Sequence, residues 1–177
     1  MQYNSRKDYI IDCITASVGT LLDENYAARD FEDIVGSDSP ELSTCSSFIR
    51  FVKNTENSQY VTKENFYEYL LTKSGKSEIT DKESELTDLI FERVEDCRNN
   101  NNSSLKDPKN LYERLSEASK KVKLYNSISS LTENETFSRD PVTWDESYCE
   151  SLQNSATDAA VDFATEESDA LYMGEEL

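Results

Sequence analysis

The sequence predicts an all-α protein, and three observations support that prediction. Apolar residues recur at spacings of three and four over several stretches, which places them on one face of a helix. Residues that favour helix starts precede these stretches, as in Ser39-Pro40-Glu41 and Thr80-Asp81-Lys82-Glu83. No stretch alternates apolar and polar residues for long enough to form a strand, apart from isolated residues such as Val61 and Leu105.

The N-terminal part of the chain predicts four helices. The first covers Tyr9 to Leu22, and a short second one covers Tyr26 to Val35. A third runs from Ser39-Pro40 to about Val52, because serine caps free backbone amides and proline in the first turn needs no N–H partner. After a polar loop, the fourth runs from Thr62 to near Ser74-Gly75, where glycine can close it.

Two more helices follow. Thr80 and Glu83 match a capping box, in which each side chain bonds the backbone amide of the other residue. The polar run 99–104 can only form a loop. Asp107-Pro108 then begins a helix that either continues past Val122 or breaks before it. One face of the helix after Thr80 is predicted to carry Leu86, Leu89, Ile90, Arg93, Val94 and Cys97.

Composition and charge narrow the range of functions. Hydrophobic residues make up only 36% of the chain, and the formal net charge is −18, so the core is modest. The charge is uneven, because residues 126–177 carry 13 acidic residues and one basic residue, Arg139. Binding to nucleic-acid phosphates depends on clustered Lys and Arg. The sequence therefore argues against direct nucleic-acid binding and favours a basic protein partner.

Other classes of function are disfavoured as well. The chain has no His, which removes Ser–His and Cys–His nucleophiles and most zinc chemistry. Its four cysteines are widely spaced, without a C-x-x-C pair, and are expected to be reduced core residues. We expect neither an enzyme nor a cofactor. No apolar run is long enough to span a bilayer and residues 1–8 lack a signal-peptide core, so we expect an intracellular protein without a membrane partner.

The segment 54–66 has the outline of an EF-hand calcium site without its ligands. An EF-hand loop needs oxygen ligands at positions 1, 3 and 5, Gly at position 6 and a bidentate Glu at position 12. We align the segment by placing the apolar residue Val61 at position 8. The metal is then expected to be absent, because the positions named above hold Asn54, Glu56, Ser58, Gln59 and Asn65.

The same pattern of loop, apolar residue, cap and new helix occurs three times. Its apolar residues are Val61, Leu105 and Val142, which makes it a repeat of helix-loop-helix units. In EF-hands such residues pair between neighbouring loops, so that two hands form a lobe. Loop positions counted back from Leu105 and Val142 hold cations and an aromatic ring, including Arg98 and Phe137, which exclude calcium in any ordinary geometry.

This arrangement resembles the calmodulin and centrin superfamily. Centrin is the more similar, because the segment 105–115 looks like the entry to its third hand. The resemblance implies degenerate EF-hand lobes at 1–75 and 76–152, and the charge of the last third predicts an acidic, flexible tail at 153–177. Among centrin-like proteins, the metal-free, His-less chain looks like the small fungal nucleotide-excision-repair factors. This resemblance implies a nuclear, non-enzymatic subunit that binds a helix of the xeroderma pigmentosum group C type damage-recognition protein.

Centrin-type lobes receive an amphipathic helix in an apolar groove, and the resemblance implies such a groove in the C-terminal lobe. Burial in the core is the alternative role for each of its aliphatic residues. We expect the groove to contain Leu89, Ile90, Val94, Leu111, Leu115, Val122 and Leu124, with Trp144 and Tyr148 as aromatic anchors.

Two other functions are compatible with the sequence. One is a calcium-regulated sensor, which the missing ligands disfavour. The other is a generic acidic helical adaptor or DNA mimic. Loops paired through Val61, Leu105 or Val142 favour the centrin-like interpretation, whereas a plain helical bundle favours the adaptor. The acidic tail either folds on a basic domain of a partner or remains solvated.

Overall fold

The computed structural model describes residues 3–35, 42–73, 75, 77–102, 105, 107–129 and 140–154, and all regular elements within these ranges are helical. The all-α prediction is therefore confirmed for these residues. Single 3-10 turns occupy Ser58–Tyr60 and Pro141–Thr143. The α-helices are α1 (Arg6–Leu22), α2 (Glu24–Ala27), α3 (Ser43–Lys53), α4 (Lys63–Thr72), α5 (Asp81–Asn99), α6 (Pro108–Ser129) and α7 (146–154).

Helix α1 is the centre of the bundle and packs against α2, α3, α5 and α6. It is buried around its whole circumference from Asp12 to Thr20, although the sequence indicated a single apolar face. Hydroxyl groups make this burial possible. Those of Thr15, Ser17 and Thr20 each donate a hydrogen bond, 2.9 Å long, to the carbonyl oxygen four residues earlier. Their polar atoms thus have partners without water.

The predicted helix from Tyr26 to Val35 is wrong beyond its first turn. Helix α2 ends at Ala27, and the following residues form turns held by backbone bonds such as Val35 N–H to the Phe31 carbonyl at 3.0 Å. These turns aim Tyr26, Phe31 and Val35 into the core, where all three are buried. Tyr26 rests directly on the backbone of Gly19, so contact with α1 determines the path of this segment.

The predicted helix starts at Thr62 and Thr80 are confirmed. The Thr62 hydroxyl accepts a hydrogen bond from the Asn65 amide at 3.2 Å. At Thr80 the capping box is complete, since the Glu83 amide donates to the Thr80 hydroxyl at 3.2 Å and the Thr80 amide donates to the Glu83 carboxylate at 3.0 Å. Helix α6 continues past Val122. The predicted start at Ser39-Pro40 lies outside the described residues.

One hydrophobic core extends from Tyr3 to Val142 and includes residues of both predicted lobes. In its centre, Phe48 meets the rings of Phe66 and Phe91 edge to face, with centroid distances of 5.4 and 5.5 Å. Rings in this arrangement add to the stability that burial alone gives. The lobes predicted at 1–75 and 76–152 therefore share a core in the structure.

A smaller apolar cluster fixes the segment after α6. Trp144 and Leu152 are its buried members, and Leu124, Tyr125, Tyr148 and Cys149 pack around them. The buried Lys121 side chain donates a hydrogen bond to the Trp144 carbonyl at 2.9 Å. The predicted acidic tail lies outside the described residues from 155 onward.

Candidate protein-binding site

The segment 54–66 forms the predicted helix-loop-helix. Helix α3 ends at Lys53, helix α4 begins at Lys63, and the loop between them is mostly exposed. Val61 is the buried exception, with 6% of its surface accessible. A helix, a loop and a second helix therefore follow one another at this place in the chain.

A direct hydrogen bond closes this loop. In an EF-hand, position 7 gives a backbone carbonyl to calcium and position 12 gives a side chain. With Val61 at position 8, these positions are Tyr60 and Asn65. The Asn65 side-chain amide donates to the Tyr60 carbonyl at 2.8 Å. Two groups that a calcium ion would bridge are thus bonded to each other without a metal.

The predicted pairing of loops is not confirmed. The Val61 amide donates to the Ser58 carbonyl at 3.1 Å, and the Leu105 amide donates to the Asn102 carbonyl at 3.1 Å. The Val142 carbonyl accepts a hydrogen bond from the Tyr3 amide at 3.2 Å. Within the described parts of the chain, no backbone hydrogen bond joins two of the three apolar loop residues.

Most of the predicted groove residues are buried in the core instead of lining an open groove. Leu111, Leu115, Ile90 and Trp144 have 0% of their surface accessible, and Val94 has 3%. Because Ile90, Val94, Leu111 and Leu115 belong to the core that α5 and α6 share with α1, a partner could reach them only after the helices separate. Val122, Leu124 and Tyr148 are partly buried, the last two in the cluster around Trp144.

Leu89 is the member of the predicted set that faces solvent. Its accessible fraction is 48%, and it forms one wall of a pocket of about 170 Å³ between α1 and α5. The other apolar walls were not predicted from the sequence. A signal for them was present, because Ile10 and Ile11 make the apolar stripe of α1 wider than one helix face. The pocket is lined by Ile10, Leu42, Lys82, Glu85, Leu86 and Leu89.

A second hollow begins on the other side of Leu89. It has a volume of about 500 Å³ and is open to solvent along the C-terminal half of α5. Carboxylates dominate its lining. Next to Leu89 on the same helix, the Asp88 carboxylate pairs with Lys63 at 2.8 Å, which raises the pKa of that lysine. The hollow is lined by Leu89, Glu92, Arg93, Glu95, Asp96 and Asn99.

A buried ionic cluster lies on the opposite side of α1. The Tyr3 hydroxyl donates to the Asp12 carboxylate at 2.7 Å, and the Arg114 guanidinium pairs with the same carboxylate while lying 5.4 Å from the Tyr3 ring centroid. Burial, followed by the hydrogen bond to Asp12, raises the pKa of Tyr3. Because Arg6 also pairs with Asp140 at 3.2 Å, the cluster joins the N-terminal segment to α6 and to residues 140–142.

The described residues contain no group of three or more His, Cys, Asp or Glu side chains arranged to hold a metal ion. None of the described helices combines the length and apolar character needed to cross a lipid bilayer. No protein-family model matches the chain, and no curated protein or solved structure matches it either.

Proposed function

We propose that this protein is a non-enzymatic accessory subunit that binds a helix of a larger, basic protein without calcium. The observation that carries the proposal is the exposed side of α5. There Leu89, with 48% of its surface accessible, stands between an apolar pocket and a hollow rich in carboxylates. An exposed apolar residue beside fixed negative charge suits a partner that is both apolar and cationic.

Calcium independence is supported by the loop of residues 54–65. EF-hand sensors expose their binding groove when calcium draws the loop ligands together. Here the Asn65 amide already bonds the Tyr60 carbonyl at 2.8 Å, so the loop has a closed form that needs no ion. A metal with no differential affinity for two conformations cannot shift their equilibrium. Partner binding is therefore independent of the calcium concentration.

The finer proposal concerns the identity of the partner. The helix-loop-helix at 54–66 supports a centrin-like origin, and with it a nuclear role in nucleotide excision repair beside the xeroderma pigmentosum group C type damage-recognition protein. A generic acidic helical adaptor is the second candidate. It is favoured by the backbone bonds of Val61, Leu105 and Val142, each made to a residue outside the predicted loop pairs.

Titration calorimetry with the purified full chain tests calcium independence and partner identity together. A helix from the C-terminal part of the damage-recognition protein is titrated into the chain in calcium and again in chelator. We expect equal affinities in both buffers, and no calcium binding tighter than about millimolar. A peptide of the same composition in scrambled order is the control. Loss of the complex in chelator contradicts calcium independence, and equal binding of the scrambled peptide contradicts the repair assignment in favour of a generic adaptor.

The variant Asn65→Ala tests the role of the loop bond. Without the side-chain amide, the Tyr60 carbonyl loses its partner, and we expect faster hydrogen exchange at loop amides such as that of Val61. Partner affinity should still be the same in calcium and in chelator. If the native loop bound calcium and Asn65→Ala abolished that binding, the proposal that the loop closes without a metal would be contradicted.

A further inference from the structure

We infer that the groove between α1 and α5 receives one apolar side chain of a basic amphipathic helix, while carboxylates farther along α5 hold the cationic residues of that helix. The α1–α5 groove is defined by Ile10, Leu42, Leu86 and Leu89, together with the hollow that continues from Leu89 to Asn99. This inference rests on the proposed function and specifies where the partner binds and what chemistry it presents.

The size of the apolar pocket selects its occupant. Its volume of about 170 Å³ is below the range of about 300–1,000 Å³ that is typical of small-molecule sites. Leu42 is fully buried and Leu86 is 7% accessible, so they form the floor, while Ile10 and Leu89 form the sides. An anchor side chain of a helix fits a depression of this kind, since helices bind through single large apolar residues placed in pockets.

Charge selects the sign of the partner. The rim of the apolar pocket carries one residue of each sign, Lys82 and Glu85. The lining of the hollow beyond Leu89 carries Glu92, Glu95 and Asp96 against the cation Arg93, and the nearby Lys63 is paired with Asp88. An acidic segment, such as the C-terminal part of this same chain, would be repelled there, whereas Lys or Arg side chains would be attracted.

The spacing along α5 specifies the order of groups in the partner helix. Asp96 lies seven residues after Leu89, which corresponds to about 10 Å along a helix that rises 1.5 Å per residue. The partner helix therefore carries its cationic residues about two turns from its apolar anchor, on the same face. A helix whose charges surround the anchor evenly matches the groove less well.

Fluorescence anisotropy with a synthetic helical peptide tests the inference on the full chain. The peptide carries one leucine anchor and lysines two turns away on the same face. We expect Leu89→Asp to weaken binding about tenfold or more. The matched control is Leu71→Asp, which alters an apolar residue on α4 that is 37% accessible and does not line the groove. The affinity of this control variant for the peptide should stay within about twofold of the affinity of the native chain.

A second pair of measurements tests the charges. Glu95→Lys together with Asp96→Lys should weaken binding and flatten its salt dependence, because exposed charge pairs are screened by added salt. A peptide with glutamates in place of the lysines should not bind. Circular dichroism of each variant checks that the helical fold is retained.

Any one of the following results would overturn the inference. The first is equal affinity of the native chain and a folded Leu89→Asp variant. The second is equal binding of the peptide in which the leucine anchor is replaced by serine. The third is light scattering that shows a dimer of the native chain lost in Leu89→Asp, because the groove would then hold a second copy. If the larger partner binds while the peptide does not, the inference fails and the proposed function stands; if neither binds, both fail.

Discussion

Helices α1 and α5 are similar in length, with 17 and 19 residues, but they differ in what surrounds them. Helix α1 is buried on all sides between Asp12 and Thr20 and contacts the other long helices of the bundle. Helix α5 buries one face and leaves Leu89 and several carboxylates in solvent. Substitutions in a buried helix destabilise the fold, whereas substitutions on an exposed face have little effect on stability. We therefore expect substitutions in α1 to lower the free energy of unfolding and substitutions on the exposed side of α5 to alter binding.

The largest expected effect is that of Asp12→Ala. The Asp12 side chain is 1% accessible and is bonded to both Tyr3 and Arg114. Its removal leaves the Arg114 guanidinium, which is 25% accessible, without its carboxylate. We expect the free energy of unfolding to fall by about 3 kcal/mol. This is the lower end of the range for a broken buried ion pair, because water reaches the guanidinium. Chemical denaturation monitored by circular dichroism measures it.

The double variant Asp12→Asn with Arg114→Met is the control for this cluster. It removes both charges together, so most of the stability should return if the cost of Asp12→Ala arises from an unpaired charge. A single variant that costs less than about 1 kcal/mol would show that α1 is less sensitive than its burial indicates.

The next effect is that of Gly19→Ala in the same helix. A Cβ atom at this position would lie 2.2 Å from the Tyr26 ring, which is fully buried and cannot simply move into solvent. Alanine normally favours a helix over glycine by about 1 kcal/mol, but overpacking of a core costs about 1–3 kcal/mol. Because this contact is far shorter than van der Waals distance, the overpacking cost lies at the upper end of its range, and we expect a net loss of about 2 kcal/mol.

Gly19→Ala combined with Tyr26→Leu supplies the control, since the smaller side chain leaves room for the added methyl group. The pair should cost less than the sum of the two single variants. Additive costs would mean that Gly19 and Tyr26 are not in the tight contact that the structure shows.

The contrast between local and distant contacts explains what the sequence could and could not predict. The caps at Thr62 and Thr80 involve residues three positions apart, so the sequence alone is enough to predict them. The pairing of Asp12 with Arg114 joins residues 102 positions apart, and no local pattern indicates it. Likewise, the path of the segment after Tyr26 follows from its contact with Gly19, and a helical pattern there was misleading.

The candidate site shows the same limit. Leu89 and Ile90 are neighbours in an apolar stripe, and both were predicted to contact a partner. In the structure Ile90 has 0% of its surface accessible and Leu89 has 48%. The width of the stripe is visible in the sequence, but which edge of it faces solvent depends on where α1 and α3 pack against α5. For that reason Ile10 and Leu42, which come from other helical segments, could not be assigned to the site in advance.

A smaller effect for each pH unit is expected from alkaline pH, again in the buried region. Burial raises the pKa of the Cys45 thiol from 9.0 to about 12. The thiol is then uncharged in the folded chain at a pH where it ionises in the unfolded chain. Its contribution to stability is complete below pH 9 and is lost as the pH rises toward 12, at about 1.4 kcal/mol per pH unit.

Denaturation curves at several pH values, in the presence of a reductant, measure this loss. Cys45→Ala should reduce the slope of stability against pH above 9, whereas Cys149→Ser, at a partly exposed thiol, should change it less. Identical slopes in the native chain and in Cys45→Ala would contradict the assignment of the pH effect to Cys45.

The smallest expected effect on stability is that of Leu89→Ala on α5. About half of this side chain is already in water, and alanine is a better helix former than leucine. We expect the free energy of unfolding to change by less than about 0.5 kcal/mol. Leu86→Ala, three residues earlier and 7% accessible, is the matched control and should cost about 2 kcal/mol. Equal losses would mean that Leu89 is as much a part of the core as Leu86. The proposed division between a structural α1 and a partner-binding α5 would then no longer hold.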